Sequence, residues 1–249
     1  MALATGLGAP PAVAEPYLRA GVGADWSEDA RFRDRNCGAT QPPALFGCGL
    51  GQDGRPLGAY GDFGVSPSLE AGIGYRLLPA LRGEAQLIYH PDFDYSGTAN
   101  FLGVTGPQPV TAELETLSAL LAGYLDLARL GVPSVGPVEP YIGGGIGLSR
   151  HSISSVIYRF PELGANAATI VRGGTNTSFS FMLTGGAALP LSDRVTLDVG
   201  YRYLDLGKVR TEAGPARIVR RTFDRTLDIA GTETSLTSHG ISASLRVGF

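Results

Sequence analysis

The chain ends on Ile241-Ser-Ala-Ser-Leu-Arg-Val-Gly-Phe249, and no other stretch constrains the fold as much. Ile241, Ala243, Leu245, Val247 and Phe249 are apolar, whereas Ser242, Ser244, Arg246 and Gly248 are small or polar. Apolar residues at every second position define a strand with one apolar face. A soluble domain seldom finishes on a half-apolar strand with an aromatic as its last residue. The alternative is a strand that turns its apolar row to lipid and its polar row inward, with the final aromatic at the interface.

The same alternation recurs in residues 18–26, 69–75, 81–89, 117–127, 141–148, 179–189 and 195–203, so eight strands are predicted. Soluble sandwiches and lipid-facing barrels both alternate, and three further features separate them. Charges recur in mid-strand on the polar face, at Glu70, Glu84, Asp126, Asp198 and Arg202. Trp26, Tyr75, Tyr89, Tyr201 and Phe249 sit near strand ends on the apolar face, as girdle residues do. Connections alternate in length: 77–80, 128–139 and 190–194 are short, while 27–64, 90–113, 152–177 and 208–235 are long. The pattern predicts an all-β fold: an eight-stranded antiparallel up-and-down transmembrane β-barrel with short periplasmic turns, four long extracellular loops and both termini periplasmic. No run of about 18 apolar residues exists, and the longest, 117–132, is broken by Asp126 and Arg129. A membrane protein of this composition must therefore close its strands into a barrel.

Two segments need separate treatment. Ala12-Val13-Ala14 fits a signal-peptidase site, so residues 1–14 read as a signal-peptide remnant and 15–249 as the barrel; a floppy Ala/Pro-rich tail is the plainer reading. Cys37 and Cys48 lie in a Gly/Pro-rich stretch without nearby histidines, which favours a disulfide in an exported protein over a metal site. The net charge of -3 argues against nucleic acid as a partner.

Pro140-Tyr-Ile-Gly-Gly-Gly-Ile-Gly147, Leu191-Ser-Asp-Arg-Val-Thr-Leu-Asp-Val-Gly-Tyr-Arg-Tyr203 and the strand ending at Phe249 resemble the OmpA-like, opacity-type outer-membrane β-barrel family over roughly residues 16–249. That resemblance implies a porin-like surface protein of the Gram-negative outer membrane. It implies outer-membrane lipid, lipopolysaccharide and the barrel-assembly machinery as partners, with Phe249 as the insertion signal. It says little of activity, because the family includes adhesins, structural barrels and narrow pores.

Chemistry is sparse in the sequence. An eight-stranded barrel is just wide enough for side chains to fill. The interior charges Arg19, Glu70, Arg76, Arg82, Glu84, Asp126, Asp198, Arg202 and Arg246 must then pair as a salt-bridge plug or line a narrow polar pathway. His151-Ser152 and Ser238-His239 invite comparison with lipid A deacylases, yet adjacent strand residues point to opposite faces, so no enzyme, cofactor or metal is predicted. Gly143-Gly-Gly-Ile-Gly147 lacks the Lys-Ser/Thr of a phosphate loop; its glycines make room for bulky neighbours. The last loop carries Lys208, Arg210, Arg217, Arg220, Arg221 and Arg225 against Glu212 and Asp224. This is either a candidate anion-binding loop for lipopolysaccharide phosphates or an ordinary solvated hairpin. The function expected is structural or recognitive, adhesin-like and anion-contacting, with a narrow pore and a lipid A-modifying enzyme as alternatives.

Overall fold

Alternating segments become strands, and most run longer than their apolar patterns. The computed structural model describes residues 15–104 and 106–249, so the expected signal remnant lies outside the described residues. In chain order the strands are β1 (Glu15–Ser27), β2 (Ala30–Asp34), β3 (Ala59–Asp62), β4 (Val65–Leu78), β5 (Leu81–Ala99), β6 (Pro109–Asp126) and β7 (Glu139–Ile153). They continue with β8 (Val156–Arg159), β9 (Ala168–Val171), β10 (Gly174–Pro190), β11 (Val195–Arg210), β12 (Gly214–Val219), β13 (Asp224–Ile229) and β14 (Thr232–Gly248).

Eight of these close a ring in the order β1-β4-β5-β6-β7-β10-β11-β14, every neighbouring pair antiparallel. The C-terminal strand closes it: Leu18 lies opposite Val247 and Ala24 opposite Ile241. Closure leaves no edge in the wall, which is how a β structure satisfies its backbone inside lipid. Leu18, Val22, Leu69, Ile73, Leu87, Leu121, Ile146, Leu183, Val199 and Leu245 are all exposed on the outer face, a belt no water-soluble barrel would present. Tyr75 and Phe249 rim the belt at the turn end, and Trp26 and Tyr201 at the loop end.

The loop end differs from the expected plain loops. The β2–β3 hairpin continues the wall above the shorter β1 and β4, joining β14 to β5. On the other side β8 pairs with β6, and β9 links it to the β12–β13 hairpin. Residues 90–113, expected as a long loop, are mostly strand, with Thr98 opposite Pro109. In the β2–β3 connection Cys37 and Cys48 are bonded, with Cα atoms 4.9 Å apart. There the Asp34 carboxylate accepts the backbone N–H groups of Leu45, Phe46 and Gly47 at 2.8–3.0 Å.

Glycines on the lumen face make room for three tyrosines. A Cβ on Gly143 would stand 2.6 Å from the Tyr124 ring and 2.9 Å from the Gly123 carbonyl oxygen. Gly143→Val is therefore expected to destabilise the barrel by about 1–3 kcal/mol through overpacking. Gly144→Ala, on the opposite face, meets nothing closer than 3.3 Å and should cost much less. Urea midpoints of the two folded variants check the contrast.

Candidate functional site: a filled lumen under a basic crown

Every second side chain of a barrel strand points inward, so polar residues on eight strands meet in the lumen. Towards the turn end, Arg19 donates to Glu70 at 2.9 Å, Glu84 at 3.2 Å, Tyr124 at 2.9 Å and Ser244 at 2.8 Å. Arg82 and Arg76 share Asp126 at 2.8 and 2.9 Å, and Arg246 reaches Asp198 at 3.2 Å. Arg202 grips Asp25 through two N–H groups at 2.8 and 2.5 Å and also bonds Glu70 and Ser68. His90 Nε2 lies 3.1 Å from the same Asp25. The nine predicted interior charges thus fall into three ion-paired groups, centred on Arg19–Glu70–Glu84–Arg202, on Asp126 and on Asp198, and the Tyr124 and Tyr17 rings lie between them. Asp25 and His90 belong to the first group as well. Both share the inward parity of their predicted neighbours, Asp25 with Arg19 and His90 with Glu84 and Gln86, and that parity was the available signal.

Above this network the lumen changes character. A register shift between His90 and Phe93 in β5 turns the inward set from even to odd residues, bringing Phe93 and Tyr95 inside. Phe32 of β2 and Phe63, between β3 and β4, pack on Tyr95 with ring centres 4.8 and 5.1 Å away. Phe46, Phe101, Tyr158 and Phe160 form the next layer, with ring centres 5.0–5.9 Å apart. Leu204, Leu206, Val209 and Leu236 fill the remaining side. The loop half of the barrel is an apolar core rather than an open mouth.

The three histidines divide between environments. His90 is in the network; His151 bonds Thr116 at 3.0 Å and the Leu206 carbonyl at 2.9 Å. His239 points outward, between the Tyr201 hydroxyl at 2.5 Å and Glu28 at 2.9 Å. Ser152 and Ser238 lie on the strand faces opposite to their histidine neighbours: Ser152 is exposed beside buried His151, and Ser238 is buried beside His239. Among the described residues no histidine hydrogen-bonds a serine, and no cluster has the makings of a metal site.

The six basic residues of the last loop are not brought to one place. Lys208 and Arg210 lie on the outer wall beside Glu233. Arg217 pairs with Asp224 across the β12–β13 hairpin, and this hydrogen bond holds the Asp224 carboxyl below its ordinary range. Arg220 donates to the Ala168 carbonyl at 2.8 Å and stacks on Phe160, and Arg225 lies over Phe223. Arg221 and Arg220 line an open recess with Asn166. The loop spreads because its ends are wall strands and its middle is a separate hairpin.

A model of the outer membrane protein β-barrel domain matches residues 1–249. The chain belongs to the outer-membrane β-barrel family. Among curated proteins, an uncharacterized protein of Brucella abortus (strain 2308) is 28% identical over 162 residues, 58% of this chain and 54% of that protein. The chain thus spans about half the length of the curated relatives it matches. Among solved structures, the outer membrane protein OprG from Pseudomonas aeruginosa is similar at TM-score 0.50 and 15% identity, covering 95% of this chain and 96% of that one. The outer membrane protease OmpT from Escherichia coli is similar at TM-score 0.52 and 9% identity, covering 94% and 97%. At these identities the likeness is one of fold. As a family member, the chain places its exposed apolar belt in the outer membrane.

Proposed function

We propose that this outer-membrane barrel is a closed surface protein that acts by recognition at its loop end. In this reading the loops face outward, both termini are periplasmic and Phe249 is the assembly signal. One observation carries it: the lumen is filled along its length. The Arg202–Asp25–His90 layer is capped by Phe32, Phe63 and Phe93, each fully buried, so solute passage would require the plug to unfold. Exposed cations also lie on the β12–β13 hairpin, the crest, where Arg221 and Arg225 are exposed and Arg220 is half-buried beside the Arg217–Asp224 pair. Arginine forks there suit phosphate or carboxylate groups on lipopolysaccharide or another acidic surface.

The test has two arms. In planar bilayers the folded protein is expected to give no stable openings; regular single-channel steps would instead favour a narrow pore. Glutamine at Arg220, Arg221 and Arg225 together is expected to weaken binding to anionic surfaces, most at low salt. Unchanged binding in the folded variant would refute a role for the crest. The outward Tyr201–His239–Glu28 chain supports a second reading, a lipid-modifying enzyme, because it aligns a hydroxyl, a base and an acid at the membrane interface. A mass shift in lipid A incubated with the protein, abolished by His239→Ala, would establish that reading.

A further inference from the structure

A second charge cluster sits on the outer wall, on strands brought together by barrel closure. Arg33 of β2 lies opposite Glu233 of β14, and Glu233 opposite Arg210 of β11. Lys208 joins them from lower on β11, opposite Ser235. Arg33 Nη2 and Lys208 Nζ each stand 3.0 Å from Glu233 Oε1, and Arg210 Nε 3.4 Å from Oε2. Arg35 lines an adjoining recess of about 440 Å³ with Arg210 and Glu233.

The stoichiometry separates this cluster from the lumen. There, five arginines (Arg19, Arg76, Arg82, Arg202 and Arg246) meet five carboxylates (Asp25, Glu70, Glu84, Asp126 and Asp198). On the wall three cations gather at one carboxylate, with Arg35 in the adjoining recess. The Glu233 side chain is only 12% exposed, whereas Arg33, Lys208 and Arg210 remain 51%, 37% and 40% exposed. A guanidinium carries five N–H donors and an ammonium three, and here each side chain spends one on Glu233. Among the described residues these three side chains donate no other hydrogen bond.

Position supplies the second half of the argument. Below the cluster on the same strip of wall, His239 packs with Trp26 and Tyr203, ring centres 6.3 and 5.2 Å away. Below these rings Val22, Val199, Ile241 and Leu245 are exposed to lipid. His239 and Glu233 lie six positions apart on β14. At about 3.3 Å per residue and a tilt of about 40°, the cations stand on the order of 15 Å above the aromatic ring. Going up the wall the strip is apolar, then aromatic, then cationic. An outer-leaflet glycolipid has the matching order of acyl chains, interfacial sugars and phosphate-bearing sugars.

We infer that this strip is a docking surface for lipopolysaccharide of the protein's own membrane, with Arg33, Arg35, Lys208 and Arg210 holding its phosphate groups and Glu233 keeping the cations converged. The inference rests on the outward orientation of the loop end and moves the principal lipopolysaccharide contact from the crest to the wall. The full chain, folded in detergent, is titrated with rough lipopolysaccharide, its dephosphorylated form and inorganic phosphate, at low and physiological salt. The R33Q/K208Q/R210Q variant is expected to lose at least ten-fold in affinity for the phosphorylated lipid and to flatten its salt dependence. The dephosphorylated lipid should bind the native protein as weakly as the intact lipid binds that variant. Glu233→Gln, which removes the competing negative charge while its amide oxygen still accepts hydrogen bonds from the converged cations, is expected to tighten binding several-fold; weaker binding would mean that the cluster serves only the wall and would overturn the inference.

Heat-modifiable gel mobility reports folding of each variant. Undiminished affinity in the folded wall variant overturns the inference. Inorganic phosphate competing at micromolar concentration would overturn the lipid assignment in favour of a free-phosphate site. Loss of affinity on crest substitution but not wall substitution refutes the wall and leaves the crest reading standing; loss with neither refutes both.

Discussion

Arg202→Met is expected to destabilise the folded barrel by about 3–5 kcal/mol, because it takes a cation away from two buried carboxylates. Arg202 is the only arginine bonded to Asp25 among the described residues, and it also holds Glu70. Methionine matches its length but leaves Asp25 with His90 alone and Glu70 with Arg19 alone. The double variant Arg202→Met/Asp25→Asn should recover part of the loss, since removing both charges is less costly than orphaning one. Urea unfolding in lipid vesicles, followed by gel mobility, measures both. A double variant no more stable than Arg202→Met would mean that the Asp25 charge is not what the arginine neutralises.

Leu121→Arg is expected to cost about 2–4 kcal/mol, the range for a cation on the lipid face at mid-bilayer. Leu121 is 70% exposed on β6, midway between Leu117 and Leu125, and pairs with Ile146 of β7. Glu115→Arg, on the same strand face near the loop end, should be tolerated, because the cost falls towards the interface. Equal losses at the two sites would mean that the belt is not seated in hydrocarbon as described.

The wall of the barrel was legible in the sequence; its contents were legible only in part. Side chains of a strand alternate with a period of two, a local property, so Leu69-Glu70 or Asp198-Val199 declares which residue faces out without knowledge of any partner. The same parity assigned the nine lumen charges to one side. It could not say that Arg19 would bridge Glu70 and Glu84, because ring order and register set those distances.

Where the register slips, parity fails. Past His90 the inward residues become Phe93 and Tyr95, and past Asp205 the shift at Gly207 sends Val209 inward. An extra residue in one strand exchanges its faces, and no periodicity in residues 90–113 announced it. The apolar plug therefore arose only in three dimensions. So did the wall cluster: residues 33, 35, 208, 210 and 233 become neighbours because β2 pairs with β14 and β14 with β11. By itself the sequence determined strands, faces, girdles and the alternation of turns and loops, since these depend on neighbours two positions apart. Tertiary structure decided what fills the barrel and where its cations converge, because both depend on contacts between strands far apart in the chain.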